Sequence, residues 1–168
     1  MLTNFEKVID FNTQFGVINR SNANSTSLDK YNLVPDKEIM NNEKHIDQCM
    51  RLIREEMAEL EEAVKDKNFT EVVDALTDIL YVVYGMGARI NVNMDEAFKL
   101  VHQNNMSKLC KDEETAQRTV AHYQNSKIYD SPAYRKSPDG KYFVVYNQSC
   151  GKVLKSIDWV NVDLSTVC

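Results

Sequence analysis

The sequence predicts an all-α protein, an antiparallel helical bundle that ends in a small C-terminal β-hairpin. Three observations predict this fold. Apolar residues recur at helical spacings over long segments, short links join those segments, and a β-rich segment bounded by turn residues follows after residue 110. The 168 residues correspond to about one domain, and 43% of them are apolar, which is enough to bury a core without disulfides.

The first two helices follow from apolar periodicity. Apolar residues keep a helical period from Phe5 to Phe15, and this pattern stops at Gly16, a residue type that commonly follows a helix end. The segment from Ser21 to Ser27 contains only Ser, Asn, Thr and one Ala, so we expect a loop. Glu43–Lys65 has apolar residues at alternating spacings of four and three, which predicts a long amphipathic helix.

Two further helices follow after a short break at Asp66 to Asn68. We expect the third helix to start with Thr70 as its N-cap and to end near Arg89. Because the second half of this helix is apolar nearly all round, we expect it to be central in the bundle. Asn93 or Asp95 opens a fourth helix that ends near residue 109.

The character of the chain changes after residue 110. A last helix is expected over Asp112 to Asn125, and turns are expected at Ser131 to Tyr134 and at Ser137 to Gly140. The composition of Tyr142 to Tyr146 predicts a strand, which we expect to pair with a returning strand at Lys152 to Ile157. The two predicted parts are a helical domain at residues 1–110 and a C-terminal helix and hairpin extension at residues 111–168.

The charge distribution is uneven. The net charge is −5, yet residues 43–78 hold 11 acids and 5 bases. No basic face is evident, so we expect no nucleic-acid partner. We also expect no membrane contact, because no apolar run reaches the ~18 residues of a spanning helix. The N-terminal residues lack the pattern of a secretory signal. The four cysteines are scattered without a CxxC pair, so we expect reduced thiols in the cytoplasm.

The acids form two rows on successive helices. Glu56 and Glu59 share an arc beside the apolar stripe, while Asp74 and Asp78 share an arc on the next helix, both by the ~100° turn per residue. Like charges spaced four residues apart destabilise a helix, so the presence of both Asp74 and Asp78 needs an explanation. One alternative is a solvated acidic face, as is common for charge runs. The other is a pair of facing helices that hold a hard divalent cation, Mg²⁺ or Mn²⁺, with oxygen ligands.

Four ordered motifs resemble those of the all-α nucleoside triphosphate pyrophosphohydrolases, which include the MazG-type enzymes and the phosphoribosyl-ATP pyrophosphohydrolase-like proteins. The motifs are Phe11-Asn12-x-x-Phe15-Gly16, Glu55-Glu56-x-x-Glu59, Asp74 to Gly85, and Val101 to Lys108. The resemblance covers residues 5 to 110 and implies a MazG-like helical catalytic domain. It also implies hydrolysis of a nucleoside triphosphate to a monophosphate and pyrophosphate, and association as a homodimer or homotetramer.

The resemblance assigns roles to individual residues. It implies that the metal ligands are Glu56, Glu59, Asp74 and Asp78. Glu55 would be a ligand or would orient the attacking water. The Asn-Met-Ser-Lys segment implies that Asn105 and Lys108 reach the phosphates, with Lys108 offsetting charge on the leaving pyrophosphate.

One position departs from the pattern, since many relatives have Glu where this chain has Ala75. Asp74 is then the natural substitute, and Glu71 is either a further ligand or an ordinary residue of the helix start. On the first helix, Asn12 and Phe15 have the amide and ring that could read or stack on a base, although a core role for the Phe is the alternative.

We therefore expect a magnesium-dependent pyrophosphohydrolase that acts on deoxynucleoside or noncanonical triphosphates and cleans the nucleotide pool. Two alternatives remain open. One is phosphoribosyl-ATP hydrolysis in histidine synthesis. The other is a non-catalytic helical oligomer that binds nucleotides, in which the acids are only solvated surface.

Overall fold

The computed structural model describes residues 1–18 and 33–168. Within these ranges the chain is mostly helical with a small C-terminal hairpin, which confirms the predicted fold class. The predicted loop at Ser21 to Ser27 lies outside the described residues. The elements are α1 (Asn4–Gln14), a 3₁₀ helix (Glu38–Asn41), α2 (Glu43–Lys65), α3 (Phe69–Arg89), α4 (Met94–Met106), α5 (Glu113–Ser126), β1 (Pro132–Lys136) and β2 (Phe143–Asn147).

The chain forms two compact units. The first comprises residues 1–97 with residues 164–168, and the second comprises residues 98–163. The domain boundary expected at residue 110 stays a prediction. No helix of the described ranges is both long enough and apolar enough to cross a membrane.

In the first unit, α2 and α3 form an antiparallel pair. Three residues separate the two helices, and α2 spans the residues that its apolar periodicity predicts. Arg89 at the end of α3 donates a hydrogen bond through Nη1 to Oε1 of Gln48, in the first half of α2, over 3.3 Å. Because early residues of α2 therefore meet late residues of α3, the acids just past the midpoint of α2 lie near the first half of α3, which carries the other acids.

The N-cap of α3 differs from the prediction. Asn68, not Thr70, caps the helix, because its side-chain oxygen accepts a hydrogen bond from the backbone N–H of Glu71. Asn68 has an extended backbone, as an N-cap residue requires, whereas Thr70 already lies inside the first turn. At α4, Asn93 rather than Asp95 plays this role, since Asn93 Oδ1 accepts from the N–H of Glu96.

Helix α1 packs on the C-terminal half of α3, which makes α3 the central helix of the unit, as expected. Thr3 and Glu6 form a capping box that starts α1, and Gly16 follows its end with φ +67°. Phe5 and Ile9 are fully buried against Ala88, and the Phe5 ring contacts Tyr84. The core of the first unit therefore lies between one face of α1 and the second half of α3.

The hairpin of the second unit exists but uses a different partner strand. β2 pairs antiparallel with β1, and Lys152 to Ile157 forms only an isolated bridge between Tyr146 and Val153. The predicted return strand was therefore wrong. The reason is local, because Ser137 to Gly140 closes a tight turn with its own hydrogen bonds, so the residues just before it become the partner strand.

The core of the second unit is separate from that of the first. Cys110, Ala116, Val145 and Leu154 are buried together between α5 and the hairpin. Asp112 caps α5, because its carboxylate accepts a hydrogen bond from the N–H of Thr115 over 2.7 Å. The predicted last helix is thus confirmed to within one residue at each end.

Truncating the α1 core should be costly. Ile9 has no exposed surface, so Ile9→Ala is expected to lower the free energy of unfolding by about 2–5 kcal/mol through lost burial and a residual cavity. Urea denaturation followed by circular dichroism measures this loss. Phe15→Ala is the control, since its side chain is 71% exposed and its removal should cost less than about 0.5 kcal/mol. Equal losses for the two variants would contradict this packing.

Candidate active site

The two acidic rows lie beside one another in the first unit. Glu55, Glu56 and Glu59 lie in the middle of α2, and Asp74 and Asp78 lie in the first half of α3. Burial raises the pKa of Glu56 above its usual range, and the negative charges of Glu59, Asp78, Glu55 and Asp74 raise it further. All five carboxylates therefore share one electrostatic neighbourhood, in which Glu56 and Asp78 are half-buried and the others are exposed.

The chemistry of this set suits a hard divalent cation. Every donor is a carboxylate oxygen, which Mg²⁺ and Mn²⁺ prefer. Arg51 is bonded to Glu55 over 3.2 Å, but both side chains are well exposed, so this pair offsets little of the repulsion. In the described ranges, no three His, Cys, Asp or Glu side chains are close enough to hold a metal ion as they stand. Like charges that point into water separate, so side-chain rotation would have to bring these carboxylates together around a cation.

The structure separates Asp74 from Glu71. Asp74 is among the charges that raise the pKa of Glu56, and Glu71 is not. Glu71 is exposed in the first turn of α3. Ala75, the position that departs from the family pattern, is 4% exposed. Asp74 is therefore the acid of this turn that belongs to the cluster.

A cavity of about 270 Å³ lies on the same side of α3 as these acids. It opens between α1, α2 and α3, one helical turn from Glu56 on α2 and from Asp78 on α3. Most of its wall is apolar, and the polar groups come from all three helices. The lining residues are Phe11, Asn12, Val17, Gln48, Cys49, Leu52, Tyr81, Val82, Gly85, Met86 and Arg89.

Asn12 and Phe15, the predicted base-binding residues, differ in position. Asn12 lines the cavity and is buried, and its Nδ2 donates a hydrogen bond to the carbonyl oxygen of Val8 over 2.8 Å. Phe15 does not line the cavity and is not a core residue, because it is largely exposed. Its ring contacts Phe11, with 4.3 Å between centroids, and Phe11 is the aromatic residue in the cavity wall.

The predicted phosphate-binding residues belong to the second unit. Asn105 lies in the last turn of α4 and Lys108 follows its end. Lys108 Nζ donates a hydrogen bond to Asn105 Oδ1 over 2.7 Å, so the two side chains are in contact. Asn105 is exposed, and Lys108 is half-buried.

Part of the chain is similar to known proteins. Residues 33–105 match the family model described as phosphoribosyl-ATP pyrophosphohydrolase. That family belongs to the MazG-like pyrophosphohydrolase superfamily. The matched segment includes both acidic rows and Asn105, whereas Asn12, Phe15 and Lys108 lie outside it. The match supports a pyrophosphohydrolase-type activity on nucleotides.

One curated relative is an uncharacterized protein, L479, of Acanthamoeba polyphaga mimivirus. It is 39% identical over 99 residues, which are 58% of this chain and 39% of that protein. The matched part of this chain therefore spans well under half the length of the relative.

Sequence reasoning missed part of this candidate site. Gln48, Cys49, Gly85 and Arg89 line the cavity, yet no motif singled them out as binding residues. Gly85 is the last residue of the Asp74 to Gly85 motif, and it lies on the same side of the helix as the two aspartates. This placement was the signal in the sequence that could have identified it as a site residue. The others became recognisable only once the packing of α1 against the α2 and α3 pair was known.

Proposed function

We propose that the protein is a divalent-cation-dependent nucleoside triphosphate pyrophosphohydrolase, which converts a (deoxy)nucleoside triphosphate and water into a monophosphate and pyrophosphate. One observation carries the proposal. Four carboxylates from two antiparallel helices act on Glu56, in a segment that matches the pyrophosphohydrolase family, and a largely apolar cavity lies beside them. We propose nucleotide-pool sanitation as its role, in the cytoplasm, where thiols such as the four free cysteines stay reduced.

Glu56, Glu59, Asp74 and Asp78 would hold the cation, Mg²⁺ or Mn²⁺. A divalent cation bound there supplies positive charge to phosphate oxygens and makes a bound water more acidic. Glu55, at the outer edge of the cluster, would accept the proton of the attacking water or orient it.

Asn105 and Lys108 would contact the phosphates. The Asn105 amide can donate hydrogen bonds to phosphate oxygens, and the Lys108 ammonium offsets the charge that develops on the leaving pyrophosphate. The bond between Lys108 Nζ and Asn105 Oδ1 fixes the amide so that its Nδ2 group is left free to donate.

A second candidate is phosphoribosyl-ATP hydrolysis, which the description of the matched family model favours. Both candidate substrates carry a triphosphate on a purine or pyrimidine nucleoside, so the same acidic cluster would serve either. The substituent on the base distinguishes them, and the cavity beside α1 is the part of the site that would select between them.

We also propose that the protein is a homo-oligomer, built from a dimer with a second copy of this chain. Exposed apolar residues repeat at spacings of four and three on α3, and two more extend the surface on α2. We call this surface the apolar face; its residues are Met57, Val64, Phe69, Val73, Leu76 and Leu80.

The apolar face lies opposite the acids. Leu76 is two residues from both Asp74 and Asp78, which places it ~160–200° away from them around α3. Its spacing of four and three residues is the one that lets helices interdigitate. A second copy presents the same spacing, so a two-fold dimer would bury both apolar faces and leave both acidic clusters accessible.

A substrate panel tests the proposed reaction. Nucleoside triphosphates, deoxynucleoside triphosphates and phosphoribosyl-ATP are incubated with the full chain and Mg²⁺, and the products are separated by ion-exchange chromatography. Monophosphate and pyrophosphate are expected, with no reaction when EDTA replaces Mg²⁺. Diphosphate with orthophosphate would refute the reaction. No turnover of any substrate, with nucleotides still bound, would favour the non-catalytic alternative.

A further inference from the structure

We propose that Gly85 determines which nucleotides the site accepts, because its missing side chain lets a planar base reach the buried amide of Asn12. The inference rests on the proposed function, in that it assigns the cavity beside the acids to the base of the substrate. It adds a specificity-determining position, Gly85, to the residues considered above.

Neither the backbone nor the packing requires glycine at this position. Gly85 lies inside α3 without a positive φ, where glycine destabilises a helix relative to alanine. A Cβ added there would meet only Asn12 Nδ2, at 3.8 Å, which is an ordinary contact. Gly87 is different, since a Cβ there would overlap the Met94 side chain. Because Gly85 has no side chain, the cavity beside it stays open.

Asn12 supplies the polar group at the end of that space. Its side chain is 7% exposed, and its Nδ2 is occupied by the carbonyl oxygen of Val8. The structure describes no hydrogen bond to its Oδ1 from any residue of ranges 1–18 and 33–168. Because Asn12 lines the cavity, this acceptor is placed to take a hydrogen bond from a ligand that brings an N–H donor. Exocyclic amines and ring N–H groups of nucleobases are such donors.

The spacing along α3 agrees with this use of the cavity. Gly85 follows Asp78 by seven residues, so it lies on nearly the same side of the helix and ~10 Å further along its axis. A sugar and its first phosphate groups can span such a length. A base at Gly85 would therefore place its phosphates at the acidic cluster, with the apolar wall of the cavity against the ring faces.

Gly85→Ala tests the inference. The midpoint of thermal unfolding should rise by about 2–4 °C, because alanine favours the helix. The dissociation constant of a nucleoside monophosphate, measured by calorimetry, should rise about tenfold or more, because a methyl group now occupies the ring site. The kcat/KM for inorganic tripolyphosphate, which has no base, should not change. Thr77→Ala is the matched control, an exposed position of α3 outside this cavity where alanine also favours the helix.

Asn12→Ala provides a second test. It should weaken monophosphate binding as well, and the double variant with Gly85→Ala should bind no more weakly than the worse single variant, because both changes act on one ring edge. Unchanged monophosphate binding in Gly85→Ala would overturn the inference, as would an equal loss toward tripolyphosphate. If the wild-type chain hydrolyses no substrate but binds monophosphates in this Gly85-dependent way, the proposed reaction fails and the base site stands.

Discussion

Asp78→Asn is expected to abolish pyrophosphohydrolysis while leaving the fold intact. The change keeps the shape of the side chain but removes the charge of a half-buried carboxylate in the acidic cluster. Loss of a cation ligand removes several kcal/mol of transition-state stabilisation, so kcat/KM should fall about a thousandfold. Release of pyrophosphate in the presence of Mg²⁺ measures the effect.

The metal-free protein gives an independent measurement. Removing the charge of Asp78 removes one cause of the raised pKa of Glu56, and less repulsion remains among the acids. The variant should therefore unfold at a temperature equal to or above that of the wild type in EDTA. Mg²⁺ should raise the unfolding temperature of the wild type and have a smaller effect on the variant.

The matched control is Glu62→Gln, which removes one charge from an exposed residue of α2 that is not among those raising the pKa of Glu56. This variant should retain wild-type activity and the same response to Mg²⁺. An active Asp78→Asn enzyme would refute the assignment of the acids. Equal losses in the two variants would show that total charge, rather than the cluster, matters.

The acidic cluster could be predicted from the sequence because its determinants are local. Helical period places Glu56 near Glu59 and Asp74 near Asp78, and the three-residue link forces α2 and α3 to run antiparallel. These two facts bring the four acids together without knowledge of any other element. The predicted bounds of α2 were correct for the same reason.

The elements that could not be predicted depend on choices among near-equal local alternatives or on distant contacts. Thr70 and Asn68 are both good N-cap residues, and the extended backbone of Asn68 decides between them. Both flanks of Tyr142 to Tyr146 could form the partner strand, and the closure of the turn at Ser137 to Gly140 decides which one does.

The cavity depends on how α1 packs against α3, which no local pattern specifies. Phe11 and Phe15 are one turn apart on one side of α1, yet only Phe11 reaches the cavity wall. The difference arises because α1 ends at Gln14, so Phe15 lies in its C-cap. The prediction therefore named the right segment of the chain. Of Asn12 and Phe15, however, only Asn12 lines the cavity.

Leu76→Glu is expected to convert an oligomer into monomers. Leu76 is in the middle of the apolar face, and glutamate is a good helix former, so α3 itself should stay intact. In a two-fold dimer each substitution occurs twice, and two unpaired charges would be buried in the contact. A cost of about 3 kcal/mol or more raises the dimer dissociation constant over a hundredfold. Sedimentation velocity from micromolar to hundred-micromolar protein measures the change.

Gln14→Glu is the matched control, because it adds the same charge at an exposed site on α1, outside the apolar face. It should sediment like the wild type. Because the acids lie on the opposite side of α3 from Leu76, the Leu76→Glu monomer should still bind Mg²⁺, as a rise in its unfolding temperature would report. A wild-type chain that stays monomeric throughout this concentration range would refute the dimer. A Leu76→Glu chain that stays dimeric would place the contact on another surface.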